Sequence, residues 1–187
     1  MKKFILIRAK NLYNSPLMGI FLKTINLEDI DIHYTDKNTC YLLVDSDYVL
    51  TIENIASTIS SDLGVKMSII VAHDINEVAN KTLTFAYENG IPFAYLPSVV
   101  LQMLLLNKLD IKKAVINEFE DVPYELILTA KAYISNGLNA KNAANSLYVH
   151  RNTFNYRLTK FIKSSKLDIR DFWNALYFQL YLELTRN

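Results

Sequence analysis

A stretch without acidic side chains constrains this chain more than any other feature. Between Leu126 and Leu167 the sequence has seven basic residues and no Asp or Glu. Residues 140–164 within it read AKNAANSLYVHRNTFNYRLTKFIKS, an Ala-rich segment, a short connection and a second segment with helical spacing. Small side chains such as Ala allow two helices to approach closely. The stretch therefore predicts two helices that cross at a wide angle, as in a helix-turn-helix.

The elements of this motif can be assigned from local signals. Asn139 is a good N-cap for a helix over residues 140–147, and a longer helix is expected over residues 151–164. Phe154 and Leu158 are four residues apart, so they lie on one side of the longer helix and should anchor it to a core. The opposite side is then free to meet a partner.

That opposite side has the residue types that double-stranded DNA requires. Arg can donate two hydrogen bonds to guanine, and Asn can pair with the donor and acceptor of adenine in the major groove. Thr, Tyr and Lys side chains, and the N–H groups at the helix start, can reach phosphates. The candidate DNA-binding residues are His150, Arg151, Asn152, Thr153, Asn155, Tyr156, Arg157, Thr159, Lys160 and Lys163.

Simpler interpretations of the same residues stay open at this point. Amphipathic helix pairs are common in ordinary bundles, and basic residues on a helix face usually only meet water. Asn and Thr at a helix start are more often caps than base readers. His150 is expected to cap the helix or donate to a phosphate, because no Ser, Cys or Asp stands beside it to make a catalytic group.

Charge divides the chain into two parts. Residues 1–124 have 11 basic and 15 acidic side chains, whereas residues 125–187 have nine basic and four acidic ones. An acidic body with a basic end predicts two domains with different partners, the basic one binding a polyanion. The single cysteine, Cys40, and the absence of metal-ligand spacing predict no metal and no cofactor. No apolar run is long enough to span a bilayer, so we expect a cytoplasmic protein.

The first 109 residues are predicted to form an α+β domain. Apolar runs and helical spacings alternate there in the order β-α-β-β-α-β-α, which is the βαββαβ arrangement of ferredoxin-like folds with an added helix. The hairpin turn is expected over residues 35–39. Residues 110–124 are mixed in charge and weakly patterned, which indicates a linker, and residues 125–187 are predicted to be an all-α helix-turn-helix domain.

The C-terminal residues resemble a known family. Residues 125–161, ELILTAKAYISNGLNAKNAANSLYVHRNTFNYRLTKF, are very similar to the C-terminal helix-turn-helix of PucR- and CdaR-type bacterial transcription regulators. The similarity includes HRNT at residues 150–153 and YRL at residues 156–158. It implies a sequence-specific DNA-binding regulator whose recognition helix begins with Arg151, Asn152 and Thr153.

Regulators of this type often have a degenerate GGDEF-like domain before the helix-turn-helix. Residues 65–106 are similar to its second half in the order of elements. A diguanylate cyclase needs Gly-Gly-Asp/Glu-Glu-Phe in the hairpin, and residues 34–39 here read YTDKNT, with no glycine and one carboxylate. The resemblance therefore implies a domain without enzymatic activity.

A last helix is expected over residues 168–185, and it is apolar nearly all round. The N-terminal domain or a second subunit should cover it, unless its tyrosines stay half-buried. We expect a homodimer, because paired helix-turn-helices read two half-sites. The alternative is a protein-interaction scaffold that keeps the fold without specific DNA binding. The sequence identifies no small-molecule effector.

Overall fold

The computed structural model describes residues 2–27 and 29–186, and the chain divides into two compact units, Met1–Met103 and Leu104–Asn187. The first unit contains a mixed five-stranded sheet with helices, and the second is entirely helical over its described residues. This confirms the predicted fold class. None of the described helices combines the length and apolar character that crossing a bilayer requires.

The sheet of the first unit has the first strand of the chain in the middle. Its strands are β1 (Lys2–Ala9), β2 (His33–Asp36), β3 (Thr39–Asp45), β4 (Met67–Ala72) and β5 (Phe93–Tyr95). They lie in the order β2-β3-β1-β4-β5, antiparallel except for β4 and β5, which are parallel. Strand β1 is central because both of its faces are apolar: Ile5 and Ile7 are buried on one, Leu6 on the other.

Helices cover both faces of this sheet. They are α1 (Leu17–Thr24), α2 (Asp47–Asp62), α3 (Glu77–Glu88) and α4 (Leu96–Leu105). The apolar sides of α1 and α2 share one core with Ile5, Ile7 and Leu42. Helix α3 packs on β1 and β4. It lies on the opposite face of the sheet from Ile5 and Ile7, and there the Arg8 side chain donates a hydrogen bond to Thr84 of α3.

The predicted hairpin forms, with a tighter turn than the sequence indicated. Strand β2 starts at His33 and continues to Asp36, so the turn consists of Lys37 and Asn38 alone. The Asp36 carboxylate accepts a hydrogen bond from the Asn38 N–H at 2.7 Å. A short acidic side chain that closes a turn on its own backbone makes two residues sufficient.

The second unit consists of α5 (Leu109–Asn117), α6 (Tyr124–Ser135), α7 (Ala140–Ser146), α8 (Arg151–Ser165) and α9 (Phe172–Leu184). The structure has no linker over residues 110–124. That segment contains all of α5 except its first residue, and Ile111, Val115 and Phe119 within the segment are buried. The division between the units falls instead in the last turn of α4.

Candidate nucleic-acid interface

Helices α7 and α8 form the predicted helix-turn-helix. They contact each other, and both contact α6. Ala143 and Ala144 are almost completely buried in α7, at 0% and 2% exposure. The Val149 N–H donates to the Ala144 carbonyl oxygen at 3.1 Å, so the backbone of the connection folds back on α7. Small side chains thus bring the two helices together, as the Ala-rich segment predicted.

Both helices begin at the predicted caps. The Asn139 side chain accepts hydrogen bonds from the backbone N–H groups of Lys141 and Asn142, at 3.0 and 3.1 Å. His150 Nδ1 accepts from the Asn152 N–H at 3.2 Å. A neutral imidazole that accepts at Nδ1 has its proton on Nε2, and His150 is exposed. His150 therefore caps α8 and still has one N–H donor available to a ligand.

The inner side of α8 fixes the orientation of the helix. Phe154 and Phe161 are fully buried and Leu158 is 6% exposed. The Phe154 ring centroid lies 6.2 Å from that of Tyr133 on α6, and the Phe161 centroid lies 4.9 Å from that of Phe178 on α9. With contacts to two other helices, α8 cannot rotate about its axis without opening the core.

The outer side of α8 follows from this orientation. Successive side chains of a helix are rotated by about 100°, so residues that differ in phase from Phe154, Leu158 and Phe161 project away from the core. No Asp or Glu occurs on this helix. The predicted residues that are exposed on this helix are Arg151, Asn152, Thr153, Asn155, Tyr156, Thr159, Lys160 and Lys163. The structure therefore brings eight of the ten predicted residues onto one solvent-facing surface, with His150 at its edge.

Lys160 and Tyr156 form a pair on this surface. The Lys160 Nζ atom lies 4.7 Å from the centroid of the Tyr156 ring. A side-chain hydrogen bond with Tyr156 raises the pKa of Lys160, so the ammonium group stays charged at neutral pH. The Tyr156 side chain is 59% exposed. The pair can therefore present a cation from Lys160 and a hydroxyl from Tyr156 together.

Arg157 is separated from the other candidates. Its Nη2 atom lies 3.5 Å from Oε2 of Glu125 on α6, and its side chain is only 32% exposed. This ion pair directs the guanidinium toward α6, along the flank of α8. In the sequence Arg157 lies between Tyr156 and Leu158 of the YRL motif. Its position around the helix axis, however, places its side chain beside Glu125.

Tyr148 was not among the sequence candidates. It lies in the connection between α7 and α8, its side chain is 96% exposed, and its φ is 54°. A left-handed residue is expected where a helix ends in a tight turn, but glycine or asparagine usually occupies the position. No local signal in the sequence indicates this exposure, because a tyrosine in a short connection is normally expected to be an apolar contact.

Comparison with known proteins identifies the same region. Residues 126–184 match the family described as PucR C-terminal helix-turn-helix domain. The chain is 37% identical over 65 residues to the proline-responsive transcriptional activator PutR of Bacillus subtilis, and 42% identical over 52 residues to the B. subtilis protein YxkF. The matches cover 35% and 28% of this chain, but only 15% and 18% of those relatives.

One solved structure has a similar fold along nearly the whole chain. It is the regulator of polyketide synthase expression from Bifidobacterium adolescentis, with a TM-score of 0.50 and 15% sequence identity. The similarity covers 98% of this chain and 80% of that one. At this level of identity the likeness concerns the fold alone.

Proposed function

We propose that the protein is a sequence-specific DNA-binding transcription regulator that acts in the cytoplasm, from the premise that residues 126–184 match the PucR C-terminal helix-turn-helix domain, as the sequence resemblance predicted. The observation that carries the proposal is the outer side of α8. It presents Arg, Asn, Thr, Tyr and Lys side chains without a carboxylate, and its inner side fixes it on a packed core.

In the proposed complex, the first turn of α8 enters the major groove. Arg151 and Asn152 are exposed at the N-terminal end of this helix, which is the end that reads bases in helix-turn-helix proteins. Asn155 and Thr159 follow Arg151 at intervals of four residues, so they can contact bases or sugars farther along. Lys160 and Lys163 are suited to phosphates, and Arg157 is left out of the base-reading set because Glu125 holds it.

We further propose that two copies bind together. Each copy supplies three exposed cations on α8, namely Arg151, Lys160 and Lys163. Arg151 is assigned to bases, so Lys160 and Lys163 of two copies neutralise four phosphates, and the logarithm of affinity should fall with the logarithm of salt with a slope of roughly −4. A single copy would have about half that slope and would bind weakly. Two copies together supply enough contacts for tight binding to a specific site.

Helix α9 is our candidate for the contact between copies. It buries Ala175, Tyr177 and Phe178 in its own unit, but its Phe172 side chain stays 65% exposed. Phe172 lines an apolar groove of about 210 Å³, together with Ile134, Leu138, Ala175, Leu176 and Gln179. A second copy would remove this apolar surface from water.

The decisive experiment selects bound sequences from a random DNA pool and then measures affinity for the selected site. We expect Arg151→Ala and Asn152→Ala to weaken specific binding by about 1–3 kcal/mol each, a loss of roughly five- to 150-fold. Lys131→Ala is the matched control, because Lys131 is an exposed cation on α6 and is not part of α8. Its affinity should stay near wild type, and the bound stoichiometry should be two copies per site.

The proposal fails if both substitutions leave affinity for the selected site unchanged while Lys131→Ala behaves as they do. Fluorescence of Trp173, the single tryptophan, checks that each variant keeps the fold of the second unit. An unfolded variant would lose the packing around α9 and shift this emission.

A second candidate function is a protein-interaction scaffold that keeps the helix-turn-helix without reading DNA. The exposed Phe172 and the apolar groove beside it favour this alternative. The same selection separates the two functions. If no sequence is enriched at low salt, while Phe172→Ala changes the assembly state, the interaction role is the better account.

A further inference from the structure

A second group of cations lies in the first unit, beside the C-terminal end of α3. Arg8 on β1 pairs with Ser68 on β4, and Lys66 precedes Ser68 by two residues, so their side chains share one face of the sheet. The Arg8 Cζ atom lies 5.6 Å from the centroid of the Tyr87 ring, and the Lys66 Nζ atom lies 4.9 Å from it. Two cations thus converge on one aromatic ring.

Neither cation has a carboxylate partner among residues 2–27 and 29–186. Arg8 donates from Nη1 to Thr84 Oγ1 at 3.2 Å, and Lys66 donates from Nζ to the Glu88 carbonyl oxygen at 3.2 Å. Both acceptors are neutral. A guanidinium has five N–H donors, so the half-buried Arg8 keeps most of its hydrogen-bonding capacity for a group that is not part of the protein.

The end of α3 accounts for part of this arrangement only. The C-terminal end of a helix is equivalent to about half a negative charge and attracts cations. Two full positive charges near that end exceed this half charge, and like charges repel each other. An anion between Arg8 and Lys66 would remove this repulsion.

The neighbouring residue on β3 points to the same conclusion. Thr39 pairs with Arg8 across the strands, so the two side chains lie in one row on one face. Thr39 is 5% exposed, and its hydroxyl has no hydrogen-bond partner among the described residues. Buried hydroxyls are usually satisfied. Arg8 and Thr39 therefore have more hydrogen-bond donors than the described residues have acceptors for them. In a purely structural network the donors and acceptors would be matched.

We propose that Arg8 and Lys66 bind an oxyanion, a phosphate or carboxylate group of a small molecule, with the Tyr87 ring as one wall of the site. The site lies wholly within the first unit, so it does not depend on the DNA-binding role of α8. It gives the first unit a ligand class that a regulator could sense.

The test uses the single cysteine as a probe of the first unit in the full-length chain. Cys40 is fully buried, and burial raises the pKa of its thiol to about 12, so a thiol reagent at pH 8 reacts only after the unit opens. A ligand of the folded state suppresses opening by the factor 1 + [L]/Kd. Inorganic phosphate, pyrophosphate or malonate at ten times its Kd should therefore slow labelling of Cys40 about tenfold.

Matched variants separate binding from a general salt effect, since phosphate stabilises many proteins by exclusion from their surface. Arg8→Gln and Lys66→Gln should lose the protection. Lys23→Gln is the control, because Lys23 is an exposed cation on α1, which packs on the other face. Sodium chloride of equal ionic strength, and Trp173 fluorescence in the second unit, report the general effect.

Protection by phosphate or pyrophosphate alone would identify a phosphoryl ligand, and protection by malonate alone would identify a carboxylate ligand. Both outcomes support the site if Arg8→Gln abolishes them. Equal protection of wild type and Arg8→Gln, or no protection by any of the three probes, overturns the proposal.

Discussion

Tyr148 has a backbone conformation that costs free energy and gains no packing within the chain. Its φ of 54° is in the left-handed region, and its side chain is 96% exposed. For a residue with a Cβ atom this conformation costs roughly 1–2 kcal/mol. Strained residues persist where a function requires their side chain. Tyr148 comes two residues before His150, the N-cap of α8, so we infer that its ring contacts the DNA backbone in the proposed complex.

This inference predicts opposite effects of one substitution on stability and on DNA binding. Tyr148→Gly removes the strain and should raise the free energy of unfolding of the second unit by about 0.5–1 kcal/mol relative to Tyr148→Ala. Both variants lack the ring, so both should bind the selected DNA site more weakly than wild type. Urea unfolding followed by Trp173 fluorescence, and DNA affinity, are the two measurements.

The Ala variant is the matched control here, because it removes the ring and keeps the Cβ atom that causes the strain. If Tyr148→Gly is no more stable than Tyr148→Ala, the backbone at this position is not strained. If both bind DNA as wild type does, the tyrosine has no role in the complex.

The distance along the chain between two partners decides whether the sequence predicts their contact. The two caps of the motif were predicted, and the partner of Arg157 was not. Asn139 and His150 bond to backbone groups two or three residues away, and such local contacts can be read from a short segment. Glu125 lies on another helix, and its approach to Arg157 depends on how α6 packs against α8. Contacts set by packing do not appear in local spacing.

At the scale of elements, the pairing of α5 with α9 was the main feature that the sequence did not indicate. The Phe119 ring centroid lies 4.3 Å from that of Tyr181, and the Tyr177 hydroxyl donates to Glu118 Oε2 at 2.5 Å. Helix α5 has only nine residues and charged side chains between its apolar ones. Its stripe of Ile111, Ala114 and Val115 becomes recognisable once α9 supplies an apolar surface to cover it.

The same pairing explains why α9 is apolar on more than one side. One side faces α6 and α8, and the side with Tyr177 and Tyr181 faces the segment around Phe119. The sequence predicted that the N-terminal domain or a second subunit would cover this helix, but part of the cover comes from residues 110–124, the segment expected to be a linker.

This contact predicts a loss of stability in alkaline solution. Burial, and secondarily the nearby Glu118 carboxylate, raise the pKa of Tyr177 well above its usual value. The unfolded chain releases the proton near pH 10, whereas the folded chain retains it. The unfolded state then binds fewer protons, so the free energy of unfolding should fall as pH rises above about 10, by up to about 1.4 kcal/mol per pH unit.

Urea unfolding at pH 8 and pH 10.5, followed by Trp173 fluorescence, measures this slope. Tyr177→Phe should be less stable at pH 8 because it removes the hydrogen bond from the Tyr177 hydroxyl to Glu118, but its stability should depend less on pH. Tyr181, whose pKa burial also raises, is present in both proteins and contributes equally. Identical slopes in the two proteins would show that Tyr177 does not couple folding to pH.

At the scale of the whole molecule, charge follows the division into units. Residues 1–103 have eight basic and 11 acidic side chains, and residues 104–187 have 12 basic and eight acidic ones. The sequence predicted an acidic body and a basic end, and charge counting is robust because it needs no knowledge of packing. It could not locate the boundary, since that depends on which core the residues around Phe119 join.

The boundary can be tested with two fragments of the second unit. Residues 104–187 include α5 and should fold alone and bind the selected DNA site. Residues 125–187 lack Phe119, which is 2% exposed in the intact chain. Losing a buried Phe typically costs about 3–5 kcal/mol, and a small domain has only about 5–15 kcal/mol in total.

The shorter fragment should therefore show little cooperative unfolding in a thermal melt followed by circular dichroism. Phe119→Ala in residues 104–187 is the matched control, because it keeps the length and charge of α5 and removes only the ring contacts with Tyr177, Phe178 and Tyr181. It should lower the free energy of unfolding by an amount in that range. DNA affinity at low temperature should stay close to that of the parent fragment, because the ring contacts that are lost are with α9 and not with α8. A fragment of residues 125–187 that melts as cooperatively as residues 104–187 would show that the helix-turn-helix is complete without α5, and that residues 110–124 are dispensable for the fold.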